Sequence, residues 1–351
     1  MHTIGRREFL MQSLATAAAV RGGSLLAAGQ ADADRAEAAS LYTPQAARAV
    51  ERGLAYLDAR QHEDGSFGSG AYRSNAAVCG LCGMAFMAAG STPGRGPYGT
   101  RVTRCVEFLL DHAMDSGFIV VEGAASHGPM YGHGFATLFL AEAYGMAMLP
   151  GMREKLGRAV KLIIQTQNQE GGWRYHPHSR DADISVTICQ VMALRAARNA
   201  GIFVPNETID RCIDYVKRCQ NPDGGFMYML QDGPSLFPRS AAGVVALYSA
   251  GVYQGPEIEN ALAYLMQFVP KEGSVNNDGH FFYGHYYAVQ AMWHAGGRRW
   301  QTWYPAIRDV LLDQQRDEDG SWSDPICSEY GTALACLILQ MPSNYLPIFQ
   351  R

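Results

Sequence analysis

The sequence predicts an all-α protein, a twelve-helix α/α toroid built from six helical hairpins. Three observations predict it. One segment order recurs six times along the chain, a turn of constant chemistry joins the two helices of each hairpin, and those helices differ in kind: the first is amphipathic, the second almost wholly apolar.

The turn glycines fall at positions 65, 117, 171, 224, 279 and 320, at intervals of 52, 54, 53, 55 and 41 residues. Regular self-similarity at such a period is the signature of a repeat architecture. A helix pair cannot bury its apolar face alone, so stacked pairs share one core. A helix that is apolar all round needs neighbours on every side. A closed ring supplies them, and no unit carries the polar outer face of a terminal cap.

Composition narrows the function. At 351 residues and 48% hydrophobic the chain can bury a large core. A formal charge of −4 and a pI near 6.2, with no Lys/Arg block, exclude a nucleic-acid partner.

The first residues read as an address. Gly5-Arg6-Arg7-Glu8-Phe9-Leu10 precedes Ala-rich apolar stretches at 14–20 and 25–28, and Ala31-Asp32-Ala33 offers a cleavage site. The adjacent arginines resemble a twin-arginine export signal. The expected organisation is therefore a signal at 1–33, a linker at 34–44 and one toroid domain at 45–351, in an exported, periplasmic protein. The apolar stretches are too short and interrupted to span a membrane.

The elements follow in order. Thr43-Pro44 is an N-cap with Pro at the first helical position, and Ala47, Val50, Leu54 and Leu57 form one stripe of a helix to about residue 60. After Arg73-Ser74-Asn75 the wholly apolar helix 76–89 stops at Gly90. The second unit pairs a helix over 101–112 with an inner helix over 134–146, through a degenerate turn at Gly117. The third turn is Gln167-Asn168-Gln169-Glu170-Gly171-Gly172-Trp173, and its inner helix follows Asp183 and stops at Gly201. The fourth unit starts at Pro205-Asn206-Glu207 and turns at Gln220-Asn221-Pro222-Asp223-Gly224-Gly225-Phe226; its inner helix ends at Gly251. The fifth turns at Asn277-Asp278-Gly279 and runs through Phe282-Tyr283-Gly284-His285 before a helix ending at Ala295, and the sixth turns at Gly320-Ser321-Trp322 before a helix ending near Leu339.

The cysteines lie mostly among apolar helical neighbours, where thiols serve as small hydrophobes. Cys79-x-x-Cys82 has no second pair or nearby His to complete a metal set, so no metal is assigned and the sequence requires no cofactor.

Gln167-x3-Gly171-Gly172-Trp173, Gln220-x3-Gly224-Gly225-Phe226 and Gln315-x4-Gly320-Ser321-Trp322 resemble the QW repeats of the squalene-hopene cyclase and prenyltransferase β-subunit superfamily, over about residues 45–340. The resemblance implies a toroid whose central cavity takes isoprenoid chains. The cyclases protonate substrate with an Asp in a D-x-D-D-T run; aligned on Thr187 this chain reads Asp183-Ile184-Ser185-Val186-Thr187, with Ser at the donor position. A register shifted by two keeps Asp183 as the acid but loses the last Asp and the Thr, and the plainer reading of Asp183 or Ser185 is a helix N-cap. Prenyltransferases use an Asp-x-Cys zinc pair, and Asp324-Pro325-Ile326-Cys327 has a different spacing.

Residues just before each inner helix face one mouth of such a ring and form the candidate site. Asp183, His133, His285 and Glu329 are its candidate catalytic residues; Tyr131, Tyr283, Arg239, Asp181, Arg73 and Tyr330 are its candidate ligand-binding residues. Tyr131-Gly132-His133 and Tyr283-Gly284-His285 stand 152 residues apart, three units, which puts the histidines at opposite points of the ring. Two readings are open for them: an inherited cap or packing residue in both copies, or a pair that enters the cavity and titrates near neutrality. Three functions fit: a terpene-cyclase-like protein binding or transforming an isoprenoid or other apolar ligand, an α/α-barrel polysaccharide lyase or hydrolase, and a noncatalytic ligand- or protein-binding toroid. The partner expected is an apolar small molecule or lipid, with room for peripheral membrane contact. Oligomeric state is left open.

Overall fold

A computed structural model describes residues 40–231, 233–271 and 280–350. The expected export signal, most of the linker and the fifth turn glycine, Gly279, lie outside the described residues. Among the described residues twelve α-helices follow in sequence. The outer ones are α1 (Pro44–Arg60), α3 (Gly99–Asp111), α5 (Met152–Thr166), α7 (Asn206–Arg218), α9 (Pro256–Leu265) and α11 (Gly297–Gln314). The inner ones are α2 (Ala76–Ala88), α4 (Pro129–Met146), α6 (Ile184–Asn199), α8 (Phe237–Ser249), α10 (Phe281–Ala295) and α12 (Ser328–Leu339).

Each inner helix packs on the next, and α12 returns to pack on α2, so the ring is closed. The patterning explains the layers. Every residue of α2 except Ala77 is buried, whereas α7 buries only the stripe Thr208, Ile209, Cys212, Tyr215 and Val216. All eight cysteines are buried and free, as core thiols are.

The turns bind the units together. Gln167 Nε2 donates to its own turn at Gly171 O and to Thr208 O on α7, both at 2.8 Å. Gln220 repeats this with Gly224 O and Glu257 O, and Gln315 reaches Ala49 O on α1, which fastens the last unit to the first. Trp173 Nε1 and Trp322 Nε1 each donate to an outer-helix carbonyl, Ile163 O and Leu311 O, at 2.7 Å.

Two inner helices begin earlier than their sequence suggests. Pro129 starts α4 five residues before Gly134, as a Pro at the first helical position can, and α10 starts at Phe281. That early start decides where the histidines point.

Candidate functional site

At the mouth where the inner helices begin, the ring encloses a cavity of about 680 Å³. That is within the range of roughly 300–1,000 Å³ usual for small-molecule sites. The opposite end is filled by the C-terminal segment. Trp293 Nε1 donates to Phe349 O at 3.1 Å, Arg195 Nη2 to Gln350 O at 2.9 Å, and the Ile348 N–H to Glu142 Oε2 at 3.3 Å.

The walls are largely aromatic: Tyr72, Tyr131, Phe135, Tyr175, Tyr228, Tyr283 and Tyr330 all line the cavity. The Tyr283 hydroxyl donates to Ser185 O at 3.1 Å, and the Tyr175 and Tyr228 hydroxyls are hydrogen-bonded to each other. Burial pushes the phenols of Tyr131, Tyr283 and Tyr330 well above their ordinary value, so they remain protonated donors. Among the described lining residues Arg239 is the one Lys or Arg and Asp324 the one carboxylate; His127 and His280 sit at the rim, exposed.

Arg239 makes no ion pair among the described residues. Its guanidinium carbon lies 5.3 Å from the centre of the Tyr228 ring, and Nη1 donates to Pro234 O at a long 3.4 Å. Such a cation is free to receive the polar end of a ligand.

Of the sequence-based candidates, Tyr131, Tyr283, Arg239 and Tyr330 line the cavity, and Asp183, Asp181, Glu329, Arg73, His133 and His285 do not. Asp183 is fully buried behind the wall. Its carboxylate caps α6 through the Val186 N–H at 2.8 Å and pairs with Arg174 at 3.2 Å. Burial raises its pKa to about 6, against the pull of that cap and of Arg174. Asp181 holds the same guanidinium at 3.4 Å, and Arg174 lies 4.5 Å over the Tyr175 ring and 5.5 Å over Tyr228. The two acids thus fix a cation that positions two cavity tyrosines. Glu329 is buried and accepts from Ser69 Oγ at 2.8 Å. Arg73 is exposed and donates to His62 Nε2 at 3.4 Å.

Of the two histidine readings, helix geometry overturns the cavity-lining one and leaves the packing one. Because α4 starts at Pro129 and α10 at Phe281, each Tyr is the third helical residue and each His the fifth. Residues two positions apart on an α-helix point about 200° away from each other. With the tyrosines facing the cavity, both histidines face away. His133 accepts from the Ile119 N–H at 3.1 Å and donates to Ala159 O at 3.2 Å, and burial lowers its pKa to about 4. His285 packs among Phe281, Phe237 and Trp303, and burial lowers its pKa to about 3. Both are neutral packing residues near neutral pH.

Sequence reasoning missed Tyr72, His127, Tyr175, Tyr228 and Asp324. A signal was present for three of them. Tyr175, Tyr228 and Asp324 each stand two residues after the turn aromatic, at Trp173, Phe226 and Trp322. In each case the aromatic is buried and the residue two positions on reaches the cavity wall.

Comparisons with known proteins agree with this architecture. A family model of the prenyltransferase alpha-alpha toroid domain matches residues 38–157 and 145–281. A drimenyl diphosphate synthase of Streptantibioticus cattleyicolor is 32% identical over 96 residues, which is 26% of this chain and 17% of that one. This chain therefore spans a minor part of that relative. Among solved structures, a variant of the type II terpene cyclase MstE from Scytonema, bound to its product merosterolic acid A, superposes with a TM-score of 0.60 at 17% identity, covering 85% of this chain and 97% of that one. The α-1,6-mannanase GH76A of a Salegentibacter species has a TM-score of 0.62 at 10% identity, covering 84% and 98% of the two chains. Cellobiose 2-epimerase from Bacillus thermoamylovorans has 0.60 at 12%, covering 81% and 95%. At these identities the structural likenesses show the fold.

Proposed function

This chain belongs to the prenyltransferase alpha-alpha toroid family, and from that premise we propose that it is an exported, terpene-cyclase-like protein that binds and transforms an isoprenoid chain. The observation that carries this reading is the aromatic cavity, filled at its far end by the C-terminal segment and holding Arg239, a cation with no ion pair among the described residues. An apolar chain gains from burial against such walls, and the tyrosine faces favour any positive charge that develops along it. Arg239 would take an anionic head group where the ligand carries one. A cyclase co-crystallised with a geranylgeranyl substrate on the same fold supports the ligand class. Glycan hydrolysis ordinarily needs two carboxylates flanking the reacting bond, and Asp324 is the one carboxylate among the described lining residues. The arginine pair and cleavage site of residues 1–33 support export.

One experiment tests both parts: native mass spectrometry of the protein purified separately from the periplasmic and cytoplasmic fractions of its own host. The expected result is a chain lacking its first 33 residues and carrying an isoprenoid-sized apolar molecule. An oligosaccharide in its place would sink the ligand reading. An uncleaved chain confined to the cytoplasm would sink export.

A further inference from the structure

In the alignment on Thr187 the cyclase acid position is Ser185, which lines the cavity but has no acidic proton to give. Asp183 is committed to the α6 cap and to Arg174. Among the described residues, the carboxylate that does reach the cavity comes from another unit.

Asp324 stands in the segment between Trp322 and α12, and that segment is tightly held. The Trp322 N–H donates to Thr332 Oγ1 at 3.0 Å. Gly331 lets α12 press against it, because a Cβ there would lie 2.8 Å from Trp322 O and 3.1 Å from Asp324 Cβ. The Ile326 N–H donates to Asp324 Oδ1 at 2.8 Å, while Oδ2 has no hydrogen-bond partner among the described residues. The titratable groups near the carboxyl are His127, Tyr72 and Tyr330. His127 is exposed to solvent, stacks on Tyr72 with 5.8 Å between ring centres, and pairs through Nδ1 with the Tyr72 hydroxyl at 3.1 Å. The site therefore holds a buried carboxyl whose Oδ2 has no partner among the described residues, within electrostatic reach of an imidazole exposed to solvent.

Resting on the isoprenoid reading above, we propose that Asp324 is the proton donor of this cavity, acting on an oxygen-bearing end of the chain, an epoxide or allylic hydroxyl, with His127 resupplying the proton from solvent. The Asp324 O–H bond breaks as its proton moves to the ligand oxygen. The carbon–oxygen bond then breaks with its electron pair going to that oxygen. The resulting carbocation is closed by the π pair of a double bond in the same chain, beside the faces of Tyr131, Tyr283 and Tyr330. A carbon-bound proton lost to water ends the sequence, and His127 returns one to Asp324; no oxidant or reductant is needed. An oxygen lone pair suits a carboxylic acid of moderate strength better than an alkene carbon does. Burial keeps a fraction of Asp324 protonated near neutrality, with a pKa raised to about 6.

The test uses two probes on the full mature chain, farnesol and N,N-dimethylfarnesylamine, whose ammonium stands in for the developing cation. At pH 8 the wild type should bind the amine roughly tenfold more tightly than the alcohol. That preference should fade below about pH 6 as Asp324 is protonated. Asp324→Asn keeps the Oδ1 acceptor for Ile326 and should abolish the preference at every pH, while Ser185→Ala should retain it. A preference that survives in Asp324→Asn overturns the assignment. If the wild type binds neither probe, the isoprenoid reading itself fails, and the assignment with it.

Discussion

An ionised carboxylate at the wall of an apolar cavity destabilises the fold that carries it, because desolvation favours the neutral form. For Asp324 burial is the largest influence, raising the pKa from 3.8 to about 6 against the pull of the Ile326 N–H and His127. The folded pKa lies above the unfolded one, so between these values the native chain holds more protons than the unfolded chain. Stability therefore falls as pH rises through that window and then levels. Asp324→Asn should be more stable than wild type above pH 6 by on the order of 1–3 kcal/mol, with the gain vanishing towards pH 4. Urea denaturation at pH 4 and pH 8 checks this; an equal gain at both would point to packing, not charge. Single residues were also where the sequence was hardest to read. Tyr131 and His133 cannot share a helix face at a spacing of two, and the choice between them depended on where α4 begins, which Pro129 marks.

At the scale of elements, the turns couple one unit to the next by close approach. Gly171 has φ +99°, and a Cβ there would stand 2.3 Å from Arg211 O on the following outer helix. Gly157, inside α5, has nothing within 4 Å of its Cβ position. Gly171→Ala should cost more than about 2 kcal/mol, since backbone strain and a backbone clash add. Gly157→Ala should stabilise by about 0.5–1 kcal/mol. Equal effects in denaturant titrations would mean the turn is less tightly held than its geometry implies. This chemistry was legible in the sequence, because Gln, paired Gly and aromatic recur in register and the helices announce themselves by period. The segments between turn and inner helix were not legible in this way. They are irregular, and Asp324, Tyr175 and Tyr228 emerge only once the turn aromatics are used as a ruler.

At the scale of the whole molecule, closure has two parts, around the ring and across its far end. Around the ring, Gln315 holds Ala49 O, and Arg52 Nη2 donates to Arg316 O and Asp317 O, each at 2.9 Å for Arg52, so no unit is terminal. Each unit then has two neighbours, and no end is available to fray. Across the far end lies the turn Pro347–Phe349, where Leu346, Ile348 and Phe349 are buried. Its backbone is tied to three inner helices, by Glu142 on α4, Arg195 on α6 and Trp293 on α10. Phe349→Ala keeps those backbone bonds and removes only the ring, and should cost about 3 kcal/mol. Ending the chain at Asn344 should cost more, since it also strips three buried side chains and leaves Glu142 and Trp293 without these partners. The measurement is the midpoint and number of thermal transitions. A single transition at lower temperature is expected if the turn belongs to the same cooperative unit as the ring, because its contacts span helices from three different hairpins. An unchanged midpoint would make it a passive cover, and the far end of the cavity would then owe its closure to the inner helices alone.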